Sequence, residues 1–490
     1  MQDGRNGLYS RRPICYKWRV TPTSTHRLIE LLGSWRQGGG GRERLATALR
    51  SLILEGGVAV ESRLPAERTL AAALGVSRAT VTGAYDRLRE QGYVESRQGA
   101  GSWVTLPGGH RSASDAIVVG PGLDMRIAAL PAPAVLEELF AAAARELPRW
   151  LDHHGYDPLG MPPLRRAIAA RFDRRGMPTR PEQILVTNGA LHALDLVIRA
   201  ALPRGRRVLV ELPSYPAALD ALRAAGARLA PVPLTQDGWD VAALEAVVQV
   251  HRPALAYLMP DFHNPTGLVM DAPVRRHVVR TLERAGTLTV IDETFVELGL
   301  DGVPLPPPAA SFGDARTITI GSLSKSIWGG LRVGWVRADP GLIHRMATVR
   351  AASDLASPLF EQIVAAHALD RLDEILAERR ELIRTRRAAL AQALDERLPA
   401  WRYALPPGGL FLWAELPDPI STSLSLEASR HDLYIAPGPR FAAAGLLERQ
   451  LRLPFTLAPD QLERAVEILA ELTPAGSVRR APHALAGYVA

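Results

Sequence analysis

Thr317-Ile318-Thr319-Ile320-Gly321-Ser322-Leu323-Ser324-Lys325-Ser326-Ile327-Trp328-Gly329-Gly330-Leu331-Arg332-Val333-Gly334-Trp335 is the stretch on which the reading of the fold turns. Its first four residues are apolar or β-branched and read as a buried strand, which runs straight into a loop of serines and glycines. Lys325 is one of only two lysines among 490 residues, in a chain that otherwise draws its positive charge from arginine. Arginine stays protonated, whereas lysine gives up its proton in a suitable pocket and attacks a carbonyl. An amine nucleophile at Lys325 is therefore expected. Lys17 stands in an arginine-rich N-terminal tail and reads as a surface lysine.

Two serines, this lysine and an arginine seven residues later resemble the Schiff-base loop of fold-type-I pyridoxal-phosphate enzymes, the aspartate aminotransferase superfamily. The resemblance implies that Lys325 carries pyridoxal 5'-phosphate as a Schiff base while Ser322 and Arg332 hold its phosphate. Hydroxyl donors and a planar guanidinium suit phosphate oxygens. Four further segments follow in the order of that family. Ile184 to Leu194 reads as strand, glycine turn and helix start, where free backbone amides favour an anion, so Gly189, Ala190 and Leu191 are expected at the phosphate. Relatives carry serine or threonine where Ala190 stands and glutamine where His192 stands. Tyr215, in Glu211-Leu212-Pro213-Ser214-Tyr215-Pro216, matches the aromatic that stacks on the pyridine ring. Asn264, in Asn264-Pro265-Thr266-Gly267, matches the donor to the cofactor's 3-oxygen. Asp292 closes the apolar strand Leu288-Thr289-Val290-Ile291 and matches the carboxylate that pairs with the protonated ring nitrogen, which makes the ring an electron sink. Aminotransferase relatives place a tyrosine two or three residues later, where this chain has Thr294 and Phe295; Thr294 is kept as a cofactor-binding candidate. Arg452 matches the arginine that takes an amino acid's α-carboxylate bidentately, and Tyr156 the tyrosine that reaches the partner subunit's phosphate. No metal site is expected.

The resemblance accounts for about 400 residues and leaves roughly 100 at the front, enough for a domain. Leu45 to Leu54 reads as an amphipathic helix stopped by Gly56; Pro65 opens a second helix, Gly75 permits a sharp turn, and Ser77 caps a third running to Gln91. A short hairpin follows, Tyr93 to Arg97 and Ser102 to Thr105 around Gly99 and Gly101. This is helix-turn-helix grammar with a wing. Residues 43–105 resemble the GntR-type winged helix-turn-helix domain, on the motifs Leu64-Pro65-Ala66-Glu67-Arg68 and Leu74-Gly75-Val76-Ser77-Arg78. The resemblance implies DNA contacts from Arg68, Ser77, Arg78 and Thr80, with Gly99 and Gly101 beside the minor groove.

Charge supports the same division. Residues 1–107 hold sixteen Lys or Arg against nine Asp or Glu, so the whole net charge of +7 sits in the head, and the remaining 383 residues balance at 42 against 42. Cations that neutralise phosphates supply most non-specific affinity for nucleic acid. A basic membrane-surface helix would also be cationic, but would lack the helix-turn-helix pattern. No run approaches a membrane span, the start lacks a secretory apolar region, and the lone Cys15 excludes an internal disulfide, so a cytoplasmic protein is expected.

Both resemblances in this order match the MocR group of GntR-type regulators. The expected fold is multidomain. A leader over 1–40 precedes an α+β winged helix-turn-helix domain over 41–106, and a linker over 107–116 reaches roughly 35 to 40 Å. An α/β fold-type-I pyridoxal-phosphate transferase domain follows over 117–475, with a mixed seven-stranded sheet and a small C-terminal α/β subdomain, and a tail over 476–490. The expected function is a homodimeric, pyridoxal-phosphate-dependent regulator that binds a double-stranded DNA operator and senses an amino compound through aldimine exchange at Lys325. The alternative is a catalytically competent aminotransferase carrying a DNA-binding head.

Overall fold

The apolar runs of the chain gather into separate cores in two units, residues 1–111 and 112–490. The structure, a computed structural model, describes residues 25–32, 41–54, 58, 62–97, 101–105, 122–152, 154–313, 315–442 and 447–473. The expected linker, the tail over 476–490, Lys17, Cys15 and Gly99 lie outside the described residues.

In the head, helices Thr25–Leu32, Gly41–Leu54, Glu67–Leu74 and Arg78–Glu90 enclose one core of Leu28, Leu45, Leu49, Leu70, Val81, Tyr85 and Leu88. Tyr85 is wholly buried, and its hydroxyl is satisfied by the Pro65 carbonyl at 3.0 Å. Gly75 ends the helix Glu67–Leu74 at φ 61°, a left-handed conformation that glycine adopts without steric penalty. Ser77 caps the helix Arg78–Glu90, its Oγ accepting from the Thr80 amide at 3.1 Å. Val94–Arg97 and Gly101–Val104 then pair antiparallel as the wing. The leader supplies the helix Thr25–Leu32, and Leu28 and Leu32 bury themselves in the head's core.

The body is built on a mixed sheet in the spatial order 184–187, 334–337, 317–322, 288–292, 255–258, 207–212, 228–235, 238–239. Five strands from 317–322 to 228–235 run parallel, and 334–337 lies antiparallel to both of its neighbours. Four of them, 317–322, 288–292, 255–258 and 207–212, are largely buried, as expected where helices cover both faces, while 228–235 alternates buried and exposed residues toward the edge. The resemblance implies seven strands; the eighth, Gly238–Trp239, is a two-residue edge strand folded back antiparallel after Thr235. Its indole Nε1 donates to Glu211 at 2.6 Å, which anchors that edge. The smaller subdomain carries the strands 411–415, 450–454 and 436–437 with helices Leu372–Arg397, Ser421–Ala428 and Pro459–Leu472 around them. In an open α/β sheet ligands bind at the strands' carboxyl ends, and there Thr187, Asp292 and Ser322 lie on strands of the one sheet.

Candidate functional site

Lys325 follows the strand Thr317–Ser322 within a tight turn and is partly buried. Its Nζ donates to the Ala128 carbonyl at 2.7 Å and lies 5.9 Å from the centre of the Phe295 ring. Burial pushes its pKa down to about 8; the guanidiniums of Arg452 and Arg332 press the same way, and the Asp292 carboxylate opposes them. A neutral, nucleophilic amine is thereby accessible near physiological pH. Tyr215 responds to the same three charged groups, Asp292, Arg452 and Arg332, so the five side chains share one site.

Asp292 ends the strand Leu288–Asp292, buried. Its Oδ2 accepts from Tyr257 Oη at 2.6 Å and its Oδ1 from the Thr294 amide at 2.9 Å. Burial raises the carboxyl, and these donors work against that rise by favouring the charged form. Burial also raises Tyr257 well above its ordinary value, so the shared proton stays on the phenol.

The residues expected at a phosphate converge from two elements. Gly189, at φ 91°, precedes the helix Ala190–Ala201, whose first amides lack intrahelical acceptors. Arg332 spans to it, Nη2 donating to the Asn188 carbonyl at 2.8 Å. A Cβ on Gly189 would stand 2.8 Å from that nitrogen and displace the guanidinium, and the positive φ itself favours glycine here. His192 Nδ1 accepts the Asn188 amide at 3.0 Å, and burial lowers its pKa, favouring the neutral imidazole. Ser322 is also engaged, donating to the Val333 carbonyl at 3.0 Å and accepting the Ser324 amide at 3.2 Å. Ser324, half-buried beside it, is a further hydroxyl at this loop.

Arg452 sits in the strand Gln450–Pro454, opposite Trp413 and Ala436. It is 5% exposed, lies between the rings of Phe411 and Phe441, and reaches no carboxylate among the described residues. Its Nη1 donates to Asn264 Oδ1 at 3.3 Å, its Nη2 to the Arg126 carbonyl, and its buried Nε has no partner. Burial pushes its pKa down to about 10. An unpaired buried cation costs several kcal/mol, about the penalty that an incoming carboxylate would relieve. With its oxygen taken by Arg452, the Asn264 amide keeps its nitrogen as a donor.

Sequence reasoning missed Tyr257, Ser324 and the segment 122–130, which threads past the site and offers the carbonyls of Arg126 and Ala128. Backbone acceptors leave no side-chain signature, whereas Tyr257 in an apolar strand was a legible polar exception. Tyr156 is not part of this cluster: it is 61% exposed and stacks on His154.

In the head, Arg68 is exposed, and Arg78 is 71% exposed with only a 3.7 Å contact to Glu67. Ser77 and Thr80 share a hydrogen bond at 2.9 Å, so both hydroxyls serve the helix cap. Gly101, at φ 85°, lets the wing pass close to Arg63.

Residues 134–469 match the family described as aminotransferase class I and II, and residues 42–104 match bacterial regulatory proteins of the gntR family. A solved structure of LysN, the α-aminoadipate aminotransferase of Thermus thermophilus complexed with N-(5'-phosphopyridoxyl)-L-leucine, is 32% identical with a TM-score of 0.67, covering 74% of this chain and 94% of that one. The HTH-type transcriptional regulator YdcR of Escherichia coli K12 is 30% identical over 88% of this chain and 98% of its own length. A probable rhizopine catabolism regulatory protein, MocR, of Rhizobium meliloti is 32% identical over 69% of this chain and 75% of its own. The cluster fits the same cofactor: an amine of depressed pKa, a buried carboxylate for a ring nitrogen, and an arginine against a helix N-terminus for a phosphate.

Proposed function

From the premise that this chain belongs to the class I and II aminotransferases, in the MocR-type branch with a gntR-family head, we propose that it is a pyridoxal-phosphate-dependent transcriptional regulator that senses a small amino compound. It binds a double-stranded DNA operator as a cytoplasmic homodimer. Pyridoxal 5'-phosphate, when bound, supplies an electrophilic carbonyl for amines and a ring that withdraws electrons once protonated. Lys325 provides the neutral amine that attaches it. Asp292, steadied by Tyr257, holds the proton at the ring nitrogen. Arg332, the amides of Gly189, Ala190 and Leu191, and Ser322 once its hydroxyl turns from the Val333 carbonyl, bind the phosphate, Tyr215 covers the ring, and the Asn264 amide nitrogen donates to the 3-oxygen. Arg452 takes the carboxylate of an amino-acid ligand. Tyr156 reaches the partner's phosphate in the dimer, whose interface would also cover the exposed Leu191 and Leu355.

The observation that carries sensing over turnover is Phe295. Its ring stands 5.9 Å from Lys325 Nζ, and neither Thr294 nor Phe295, the two positions at which relatives place a tyrosine, supplies a phenol to tune the bound cofactor. In the head, Arg68 and Arg78 reach DNA, Ser77 and Thr80 fix the recognition helix, and Gly99 and Gly101 shape the wing. Arg452 keeps a second reading in play, a working aminotransferase with a DNA-binding head, because a complete carboxylate site serves turnover equally. Borohydride reduction followed by peptide mapping tests the premise of both: the cofactor should be fixed on Lys325, and finding it on Lys17 or nowhere would reject them.

A further inference from the structure

A cleft of about 650 Å³ opens in the body on residues outside the cofactor cluster. Arg171 and Arg175, four apart at the end of the helix Pro162–Arg174, line one side. Arg380 and Arg384, four apart on Leu372–Arg397, line another. Spacing of four places each pair on a single helix face, so two arginine pairs share the cavity. Among the described residues Glu297 is the only carboxylate in its lining, and a wall at 303–308 adds Val303, Leu305 and three prolines. The volume lies within the range of metabolite pockets, roughly 300 to 1,000 Å³.

The charges are unevenly matched. Arg171 pairs with Glu297 at 2.6 Å and Asp373 at 2.8 Å, Arg175 with Glu293 at 2.6 Å, and Arg384 with Asp301 at 3.3 Å and with Glu381. Arg380 has no carboxylate among the described residues. Its Nη2 donates to the Glu297 carbonyl at 3.0 Å, and its buried Nε has no partner. A guanidinium that lines the cleft without a carboxylate partner keeps terminal N–H donors that a ligand oxyanion can take.

We propose that this cleft binds a small organic dianion, a phosphate ester or polycarboxylate, held by Arg380 and Arg384 and competing with the Glu297 carboxylate for Arg171. Glu297 lies on the segment that begins at Asp292 and includes Glu293 and Phe295, so an occupant pulls on residues of the cofactor site through continuous chain. The cleft is then a second input to the body, and its existence does not depend on whether the output is regulation or turnover.

The test uses protein loaded with pyridoxal phosphate and reduced with borohydride, so that the cofactor's own phosphate site is filled. Inorganic pyrophosphate and citrate are titrated calorimetrically into wild type, Arg380→Ala, Arg384→Ala and Glu297→Gln, each checked by thermal melting. One saturable site per chain is expected for at least one probe. Arg380→Ala should weaken it about tenfold or more, and Glu297→Gln, which removes the internal competitor, should tighten it. Binding of pyrophosphate alone assigns phosphate esters, and of citrate alone polycarboxylates; either supports the site. If Arg380→Ala does not fold, the opposite shifts of Arg384→Ala and Glu297→Gln decide. No saturable binding, or one affinity across all variants, overturns the proposal.

Discussion

Tyr257 Oη stands 2.6 Å from Asp292 Oδ2, two buried side chains 35 residues apart brought together by the parallel pairing of strands 255–258 and 288–292. A carboxylate in this setting would drift toward its neutral form, since burial raises its pKa. The phenol donates to it and, with the Thr294 amide, favours the ion. A proton on a pyridine nitrogen needs that ion as its partner.

Tyr257→Phe should therefore leave Asp292 with Thr294 as its donor. The loss of a hydrogen bond to a buried charged group predicts about 1–3 kcal/mol less stability in urea unfolding of the cofactor-free protein. Cofactor affinity should fall in parallel in a pyridoxal-phosphate titration. Unchanged values in both would remove Tyr257 from the account.

Lys325 sets a pH profile. In the cofactor-free protein its folded pKa of about 8 lies below its ordinary 10.5. The folded state therefore binds fewer protons between those values, and the lysine's penalty on stability, full below pH 8, is relieved as pH rises toward 10.5. The rate of cofactor attachment should climb to about pH 8 and level off there. A rate still rising steeply through about pH 10 would show an unperturbed amine.

Arg452→Lys retains charge but loses the two-pronged fork. Binding of α-amino acids should weaken about tenfold or more, read from the cofactor's absorption, while an amine without a carboxylate binds as before. Equal losses for both ligands would place Arg452 outside the carboxylate site.

On the head, Arg68→Ala and Arg78→Ala separate two kinds of contact. Loss of a phosphate contact lowers the salt slope of DNA binding by about one, and loss of a base contact costs about 1–3 kcal/mol of discrimination. Gel shifts across a salt series distinguish them. Wild-type binding by both variants at every salt concentration would contradict the assignment.

Much of this was legible because local chemistry announced it. A lysine in an arginine-using chain, the cap at Ser77 and the turn at Gly75 each carry their reason within a few residues. The Asp292 and Arg452 segments were legible from order along the chain. What the sequence did not reveal depends on tertiary pairing: Tyr257 reaches Asp292 through strand register, Arg452 meets the Arg126 carbonyl 326 residues away, and Ser322 turns its hydroxyl onto Val333. The two arginine pairs of the cleft are each visible as helical spacing, but nothing local says that they share a cavity.

The central claim, that amine recognition at Lys325 governs DNA binding, is tested most directly by measuring operator affinity at fixed salt with and without a panel of amino acids and amines, in wild type and Lys325→Ala. Transaminase turnover is recorded in the same samples. At least one compound should shift wild-type operator affinity by roughly 5- to 150-fold, the usual span of coupling between sites, and Lys325→Ala should abolish the shift. Rapid multiple turnover, with operator affinity unchanged by every compound, would contradict the account and identify the body as an enzyme.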